Sequence, residues 1–246
     1  MKILVPISKV PDTTAKISFT DGGTQFDDSN VTYIMNPTDE WYALVRAIEL
    51  KEQHGGSVSV INVGPAANDQ IIRKALAIGA DDAYRVDADP RDAFFIAKQI
   101  AEHAKDGGYD LILAGKETID NNGFQVPGMI AELLDMPLVG LATQLDVADG
   151  VATIRREIEG GEETVEVGLP LVISAQKGMA EQRIPNMRGI MQARTKPLNT
   201  LEAVDAPDLI DVVRYKLPPE KGDVKLVSAE NVDELVELLH KEAKAI

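Results

Sequence analysis

The sequence predicts an α/β fold: a doubly wound, mostly parallel sheet with antiparallel hairpin additions, followed by a C-terminal arm plus helix. Three observations carry this. Over the first 140 residues, β-branched runs alternate with segments whose apolar residues recur at helical spacing. Such alternation is the pattern of a parallel sheet with helices on both faces. Residues 142–175 change to a two-residue period around Asp149-Gly150 and Gly160-Gly161, as antiparallel hairpins do. From 194 to 227 the chain has four prolines and little periodicity, which reads as an extended arm.

The elements follow in order. Residues 2–7 (KILVPI) form a short buried strand, and residues 15–33 a small excursion with a hairpin at Asp21-Gly22-Gly23. After Asn36-Pro37-Thr38-Asp39, Trp41, Leu44, Val45 and Ile48 recur at i, i+3, i+4 and i+7, the stripe of a helix. Gly55-Gly56 stops it, as left-handed glycine does. Ser57–Val63 is the next strand, rich in β-branched residues. A helix over about 66–78 closes at Gly79, and residues 82–86 form a third strand. Ala93, Ile96, Ala97, Ile100, Ala101 and Ala104 mark another helix, ended by Gly107-Gly108. Residues 109–114 (YDLILA) form a fourth strand; a polar loop then leads to a helix carrying Met129, Ile130, Leu133 and Leu134. Pro127 suits its first turn, where a missing N–H costs nothing. Residues 144–147, 151–158 and 163–167 form the hairpins, and 169–174 a last buried strand. A final helix starts from Ser228 as N-cap, with Val232, Leu235, Val236 and Leu239 as its stripe. Residues 1–193 are thus expected as one α/β domain. Residues 194–246 are expected as arm and helix, packing on another chain.

Composition excludes whole classes of chemistry. No cysteine is present, so disulfides, thiolate metal sites and a cysteine nucleophile are out. The three histidines, His54, His103 and His240, lie far apart; His103 and His240 are expected at the surface, and no metal site is expected. Forty acidic against 25 basic residues give a net charge of -15, which repels nucleic-acid backbones and anionic lipid. No run approaches the roughly 20 apolar residues that span a bilayer. A soluble, cytoplasmic protein is the expectation, without nucleic-acid binding or membrane insertion.

No nucleophile elbow, Walker A sequence, HExxH or GxGxxG occurs. Doubly wound sheets bind ligands beyond the carboxyl ends of strands where the strand order reverses, which directs attention to the loops after residues 7, 63 and 114. The last runs Gly115, Lys116, Glu117, Thr118, Ile119, Asp120, Asn121, Asn122, Gly123, Phe124, Gln125 and Val126, from a strand into a helix. Small and polar residues there leave backbone N–H groups facing outward beside a helix N-terminus, able to hold a phosphate. The same composition also serves a plain strand-to-helix turn. Asn36, held extended before Pro37, can read a purine or ribose with its amide, or cap the helix. Residues 177–196 carry five basic residues against Glu181 alone, and the apolar Ile184, Met187, Ile190 and Met191. That suits docking of acidic partners, with Met187 as exposed anchor; Ile190 and Met191 are expected to fold back into the core.

Six segments stand in a telling order: KILVPISKVPD, MNPTDE, KALAIGADDA, GKETIDNNGFQVPGMIAELL, RREIEGGEETVEVGLPLVIS and RIPNMRGIMQARTKPL. Over about residues 1–200 the chain resembles the electron-transfer flavoprotein β subunit. The resemblance implies a Rossmann-like, adenine-nucleotide-binding domain in a heterodimer with an α subunit that holds most of a shared FAD. It implies structural AMP here, contacted by Pro6, by Asn36, Pro37, Thr38 and Asp39, by Val63, and by the loop from Gly115 to Val126. Residues 175–197 resemble the loop that anchors partner dehydrogenases, with Arg183, Ile184, Met187 and Arg188 as docking residues and Met187 in place of a frequent leucine. The resemblance implies an electron carrier rather than an enzyme, with no catalytic acid, base or nucleophile. Acyl-CoA dehydrogenases of fatty acid β-oxidation would supply electrons, and the electron-transfer flavoprotein–quinone oxidoreductase would receive them.

Some positions depart from the family. Thr13 stands where an aromatic is common, Phe124 where a small or polar residue is, and Arg188 where a proline is frequent. VPDT at 10–13 and Val126 are similar to the electron-bifurcating branch, whose β subunit binds a second FAD instead of AMP. Asn121 to Phe124 lacks that branch's aspartate–glycine–aspartate–threonine, which favours AMP. A free-standing adenine-nucleotide sensor or hydrolase is a further reading, against which the arm and the basic loop count.

Overall fold

A computed structural model describes residues 1–220 and 222–246. In chain order the strands and helices begin with β1 (Lys2–Pro6), β2 (Lys9–Pro11), β3 (Phe19–Thr20), β4 (Gln25–Phe26), β5 (Tyr33–Met35) and α1 (Asp39–His54). Next come β6 (Ser57–Val63), α2 (Asp69–Ile78), β7 (Asp82–Val86), α3 (Ala93–Ala104), β8 (Leu111–Gly115) and α4 (Val126–Leu134). The rest are β9 (Leu138–Ala148), β10 (Val151–Ile158), β11 (Gly161–Gly168), β12 (Leu171–Ala175), α5 (Met187–Ala193), β13 (Leu198–Leu201) and α6 (Val232–Lys241).

Nine strands form one sheet in the order β11-β10-β9-β12-β8-β1-β6-β7-β13. Pairing is parallel from β9 through β13 across that row, and antiparallel for β9-β10-β11. The expected hairpins therefore extend the same sheet. The order reverses at β1, with β6 on one side and β8 on the other. Successive side chains of a strand point to opposite faces, so β1 serves two cores. Ile3 and Val5 join Leu44, Ile48, Ile72 and Leu76 of α1 and α2. Leu4 joins Phe95, Ile100 and Ile130 of α3 and α4. Each such side chain contributes roughly 1.5–3 kcal/mol on burial.

The first turn of α1 is tied to the exit of β1 through Glu40. This carboxyl is buried and accepts from both the Ser8 backbone N–H and the Ser8 hydroxyl, each at 2.7 Å. Burial pushes it from its ordinary 4.5 up to about 8, against the Ser8 hydrogen bonds that favour the charged form.

Several local expectations change. His103 is half-buried rather than at the surface, with Nε2 3.0 Å from the Tyr109 hydroxyl and its ring centroid 4.1 Å from that of Tyr84. The aromatic neighbours supply the apolar cover that the helical pattern did not reveal. Residues 198–201 form β13 along the edge of β7, so the sheet continues past residue 193. The last helix starts at Val232 with Asn231 as N-cap. Ser228 instead forms a turn just before it, its hydroxyl accepting from the Glu230 N–H and its carbonyl from the Asn231 N–H.

Beyond β13, the arm lies on its own domain as far as Tyr215. The buried Gln99 amide of α3 pairs with the Val204 backbone through two 2.8 Å hydrogen bonds, imitating a strand neighbour. Asp92 caps α3 by accepting from the Phe95 N–H with Oδ1, and takes the Leu209 and Ile210 N–H groups with Oδ2. Arg91 adds an ion pair to Asp208 and a hydrogen bond to the Ala206 carbonyl. Tyr215 stacks on Phe19 of β3 at 4.8 Å between centroids, 5° from coplanar. Val224, Leu226, Val232, Leu235 and Val236 remain exposed.

Two outcomes are expected. Native Glu40 keeps a proton that the unfolded chain has released, so stability falls as pH rises from 4.5 to about 8. Glu40→Gln, whose amide can both accept from and donate to Ser8, removes that loss. Urea unfolding at about pH 5 and about pH 8 checks this, and equal pH slopes in the two proteins would refute it. Asp92→Ala uncaps α3 at a cost of about 1 kcal/mol and frees the arm. Hydrogen exchange at Leu209 and Ile210 should accelerate; unchanged protection there would show that Asp92 does not hold the arm.

Candidate functional site

At the reversal beside β1, the carboxyl ends of β6, β1 and β8 open toward the same edge of the sheet. Pro6 and Val63 are the buried last residues of β1 and β6. Asn62 bridges the two exits: its Nδ2 donates to the Ile7 carbonyl at 2.8 Å, and its Oδ1 accepts from Asn68 Nδ2 at 2.9 Å. Gly64 is needed there because a Cβ would lie 1.9 Å from Asn68 Nδ2.

The tightest approach is between β8 and α1. A Cβ on Gly115 would lie 2.6 Å from the Glu40 backbone nitrogen and 3.0 Å from the Asp39 carbonyl carbon. Only glycine lets the helix start rest directly on the strand end. Asn36, fully buried, then laces the following loop: its Nδ2 donates to the Glu117 carbonyl at 3.0 Å, and its Oδ1 accepts from the Ile119 N–H at 3.3 Å. It does not cap α1, whose N-cap is Thr38 without a side-chain bond. Burial pushes the Asp39 carboxyl up, and nearby Lys116 opposes that shift. Lys116 in turn pairs with Glu117 at 2.8 Å, which holds its ammonium pKa above the ordinary value.

The inner half of the loop is thus bound to protein. The outer half is not. Among the described residues, the backbone N–H groups of Gly123 to Val126 have no hydrogen-bond partner, and Val126 opens α4 with Pro127 in its first turn. Asn122 and Phe124 hold φ of 46° and 48°, an uncommon left-handed conformation for residues with side chains. The arrangement leaves these amide donors and a helix N-terminus available to an anion, with Lys116 already engaged. Among the described residues, no cluster of metal-ligating side chains occurs and no helix is long and apolar enough to cross a membrane.

The basic segment is rooted at the same place. Gln182 donates to the Pro37 carbonyl, and Trp41 Nε1 donates to the Arg183 carbonyl at 3.3 Å. Arg183 forms a two-pronged ion pair with Glu52, at 2.7 and 3.1 Å. Asn186 caps α5 by accepting from the Gly189 N–H, and Gly189 has no room for a Cβ because the Ala77 carbonyl would be 2.3 Å away. With the helix backbone that close to α2, its apolar side chains turn outward. Ile184 is 82% exposed and Met187 74%, with Arg188 exposed beside them. Ile190 at 42% and Met191 at 67% are exposed too, which corrects their assignment to the core; only Ala193 of α5 is buried.

Sequence reasoning missed Ser8, Glu40 and Asn62, whose partners lie 32 and 55 positions away, and Asn68, which binds Asn62 six residues before it. It also missed α5, for which Asn186 followed three residues later by a glycine N–H was the only local signal.

Residues 23–206 match the family model described as the electron transfer flavoprotein domain. The electron transfer flavoprotein subunit beta of Bacillus subtilis is 38% identical over the full length of both chains. That of Syntrophomonas wolfei is 40% identical over 90% of this chain and 88% of its own. The mitochondrial subunit beta of Arabidopsis thaliana is 33% identical, again over both full lengths. With a parallel sheet reversing at β1 and this match along the chain, the protein belongs to the electron transfer flavoprotein family, as a β subunit.

Proposed function

We propose that this chain works in a heterodimeric electron-transfer flavoprotein, binding AMP structurally, helping wall an FAD held by the α subunit, and docking dehydrogenases such as acyl-CoA dehydrogenases. Electrons then pass on to a quinone oxidoreductase. One observation carries the nucleotide reading: Gly115 seats the β8 exit on α1 and Asn36 laces the inner loop, while the amides of Gly123 to Val126 are left without a partner among the described residues. Pro6 and Val63 offer apolar walls at the strand ends, while Asn36, Pro37, Thr38 and Asp39 position the loop. FAD, when bound, supplies the electron chemistry. The chain's own residues bind, orient and dock; Lys116, paired with Glu117, is poorly placed to grip a transferable phosphate. The exposed Ile184 and Met187 beside Arg183 and Arg188 suit an acidic partner with an apolar pocket.

Three outcomes are expected. The complex, co-expressed with the flavoprotein α-type subunit of the same genome and treated with acid, should release FAD and AMP in equal amounts. Two FAD and no AMP would point instead to a bifurcating role, and a colourless chain retaining ATP to a nucleotide sensor. Gly115→Ala should drive α1 off β8, costing about 1–3 kcal/mol and lowering AMP content; full occupancy would contradict the seating argument. Met187→Ala should slow reduction of the complex by an acyl-CoA dehydrogenase roughly tenfold, about 1.4 kcal/mol, with AMP content unchanged. An unaltered rate would remove Met187 from the docking surface.

A further inference from the structure

The chain has no cysteine, so its sulfur chemistry rests on methionine alone, of which it has seven. Any response to an oxidant through sulfur therefore falls to a thioether, and the oxidant must reach that sulfur to react. The fold sorts the seven sharply. Met35 and Met179 are buried, and Met1, Met129 and Met136 are packed against the two cores. Met187 and Met191 stand apart at 74% and 67% exposed. Both belong to α5 and lie four residues apart, neighbours on one side of a helix.

A fixed backbone, not a loose loop, holds the two sulfurs out. Gly189 lies on the Ala77 carbonyl of α2, where no Cβ fits. Arg73 of α2 donates from Nη1 to the Ala193 and Lys196 carbonyls, each at 2.7 Å, and Asn186 caps the other end of α5. Lys196 Nζ returns the contact, donating to the Leu76 carbonyl at 2.9 Å. Clamped at both ends, α5 cannot turn its methionines inward. A change at their sulfurs alters the surface and leaves the core as it is.

We propose that Met187 and Met191 form an oxidation-sensitive site at which hydrogen peroxide reversibly weakens the docking of partner dehydrogenases. The thioether sulfur attacks one peroxide oxygen, and the S–O bond forms as the O–O bond breaks. The departing hydroxide takes the proton of the transferred oxygen and leaves as water. Sulfur gives up an electron pair and the peroxide accepts it. The sulfoxide is polar and chiral where the thioether was apolar and flexible, a change that disrupts methionine-rich contacts. Methionine sulfoxide reductases reverse it, one for each epimer, as a pair of thiols becomes a disulfide and the oxygen leaves as water. A sulfoxide is uncharged, so Arg188 and Arg194 keep the segment basic and the loss falls on apolar contact. The modification stands on exposure and packing; its effect on docking rests on the docking reading above.

The test treats the heterodimer, co-expressed with its α-type subunit, with hydrogen peroxide, removes the oxidant with catalase, and maps added oxygen by peptide mass spectrometry. Met187 and Met191 should oxidise roughly tenfold faster than Met129 and Met136, with the melting temperature of the complex unchanged. Reduction of the treated complex by an untreated acyl-CoA dehydrogenase should slow roughly tenfold, and recover on incubation with both methionine sulfoxide reductases and a dithiol. In Met187→Leu/Met191→Leu, whose side chains stay apolar but carry no sulfur, peroxide should leave the rate at that variant's own untreated value. Oxidation of Met129 or Met136 as fast as of the α5 pair overturns the site. A double variant slowed by peroxide as much as the wild type overturns the switch, and so does a melting temperature that falls along with the rate. Oxidation of Met187 and Met191 with an unchanged rate overturns it too. The rate of Met187→Ala then separates this failure from that of the docking reading, which falls only if that variant is also unaltered.

Discussion

The rest of the structure depends on one close contact: the backbone of the first turn of α1 resting on Gly115 at the end of β8. No side chain fits between them. Because the interface is backbone on backbone, the register of α1 against the sheet is set without adjustable rotamers. That register places Asp39, Glu40 and Trp41 at the same edge. Glu40 reaches back to Ser8 and closes the exit of β1, and Trp41 reaches the Arg183 carbonyl. A single helix turn therefore joins the strand reversal, the loop from Gly115 to Val126 and the root of the basic segment.

Burial of Glu40 has a cost. A carboxyl out of water is unfavourable unless neutralised or hydrogen-bonded, and here two Ser8 donors offset only part of the penalty. That strain is confined to the site and is carried by the two apolar cores on either side of the sheet. Arg85 shows the opposite solution on β7, where a buried guanidinium is enclosed by Asp69, Asp87 and the Gly64 carbonyl. The Asp87 and Asp69 carboxylates keep one face in water, so the ion pairs avoid full desolvation.

The arm divides at Tyr215. Before it, backbone groups are satisfied by Gln99, Asp92 and Arg91, and β13 covers what would otherwise be the open edge of β7. After it, Val224, Leu226, Val232, Leu235 and Val236 are exposed, and no residue of α6 is buried in this chain. At the opposite edge, β11 is left open but carries Glu162, Glu163 and Glu166, charges that discourage edge-to-edge pairing. The chain is acidic overall, with a net charge of -15, and the segment from 177 to 196 is locally basic.

The sequence by itself determined the layers. Period-two and period-3.6 patterns are local, and they located β1, β6, β7 and β8, helices α1 to α4, the β9–β11 hairpins and the glycine stops. It also marked the loop from Gly115 to Val126, because turn residues between a strand and a helix are visible in one dimension. Only the tertiary structure decided what those residues do for one another. Asn36 acts on residues 81 and 83 positions away, Glu40 on one 32 away, and Gln99 on one 105 away. A side chain's neighbours at such distances follow from strand order, not from its own spacing. The same reason explains Ile190 and Met191, whose pattern suggested burial until the Gly189 backbone took the space against α2. His103, in turn, is covered by Tyr84 of β7 and by Tyr109 in the loop before β8.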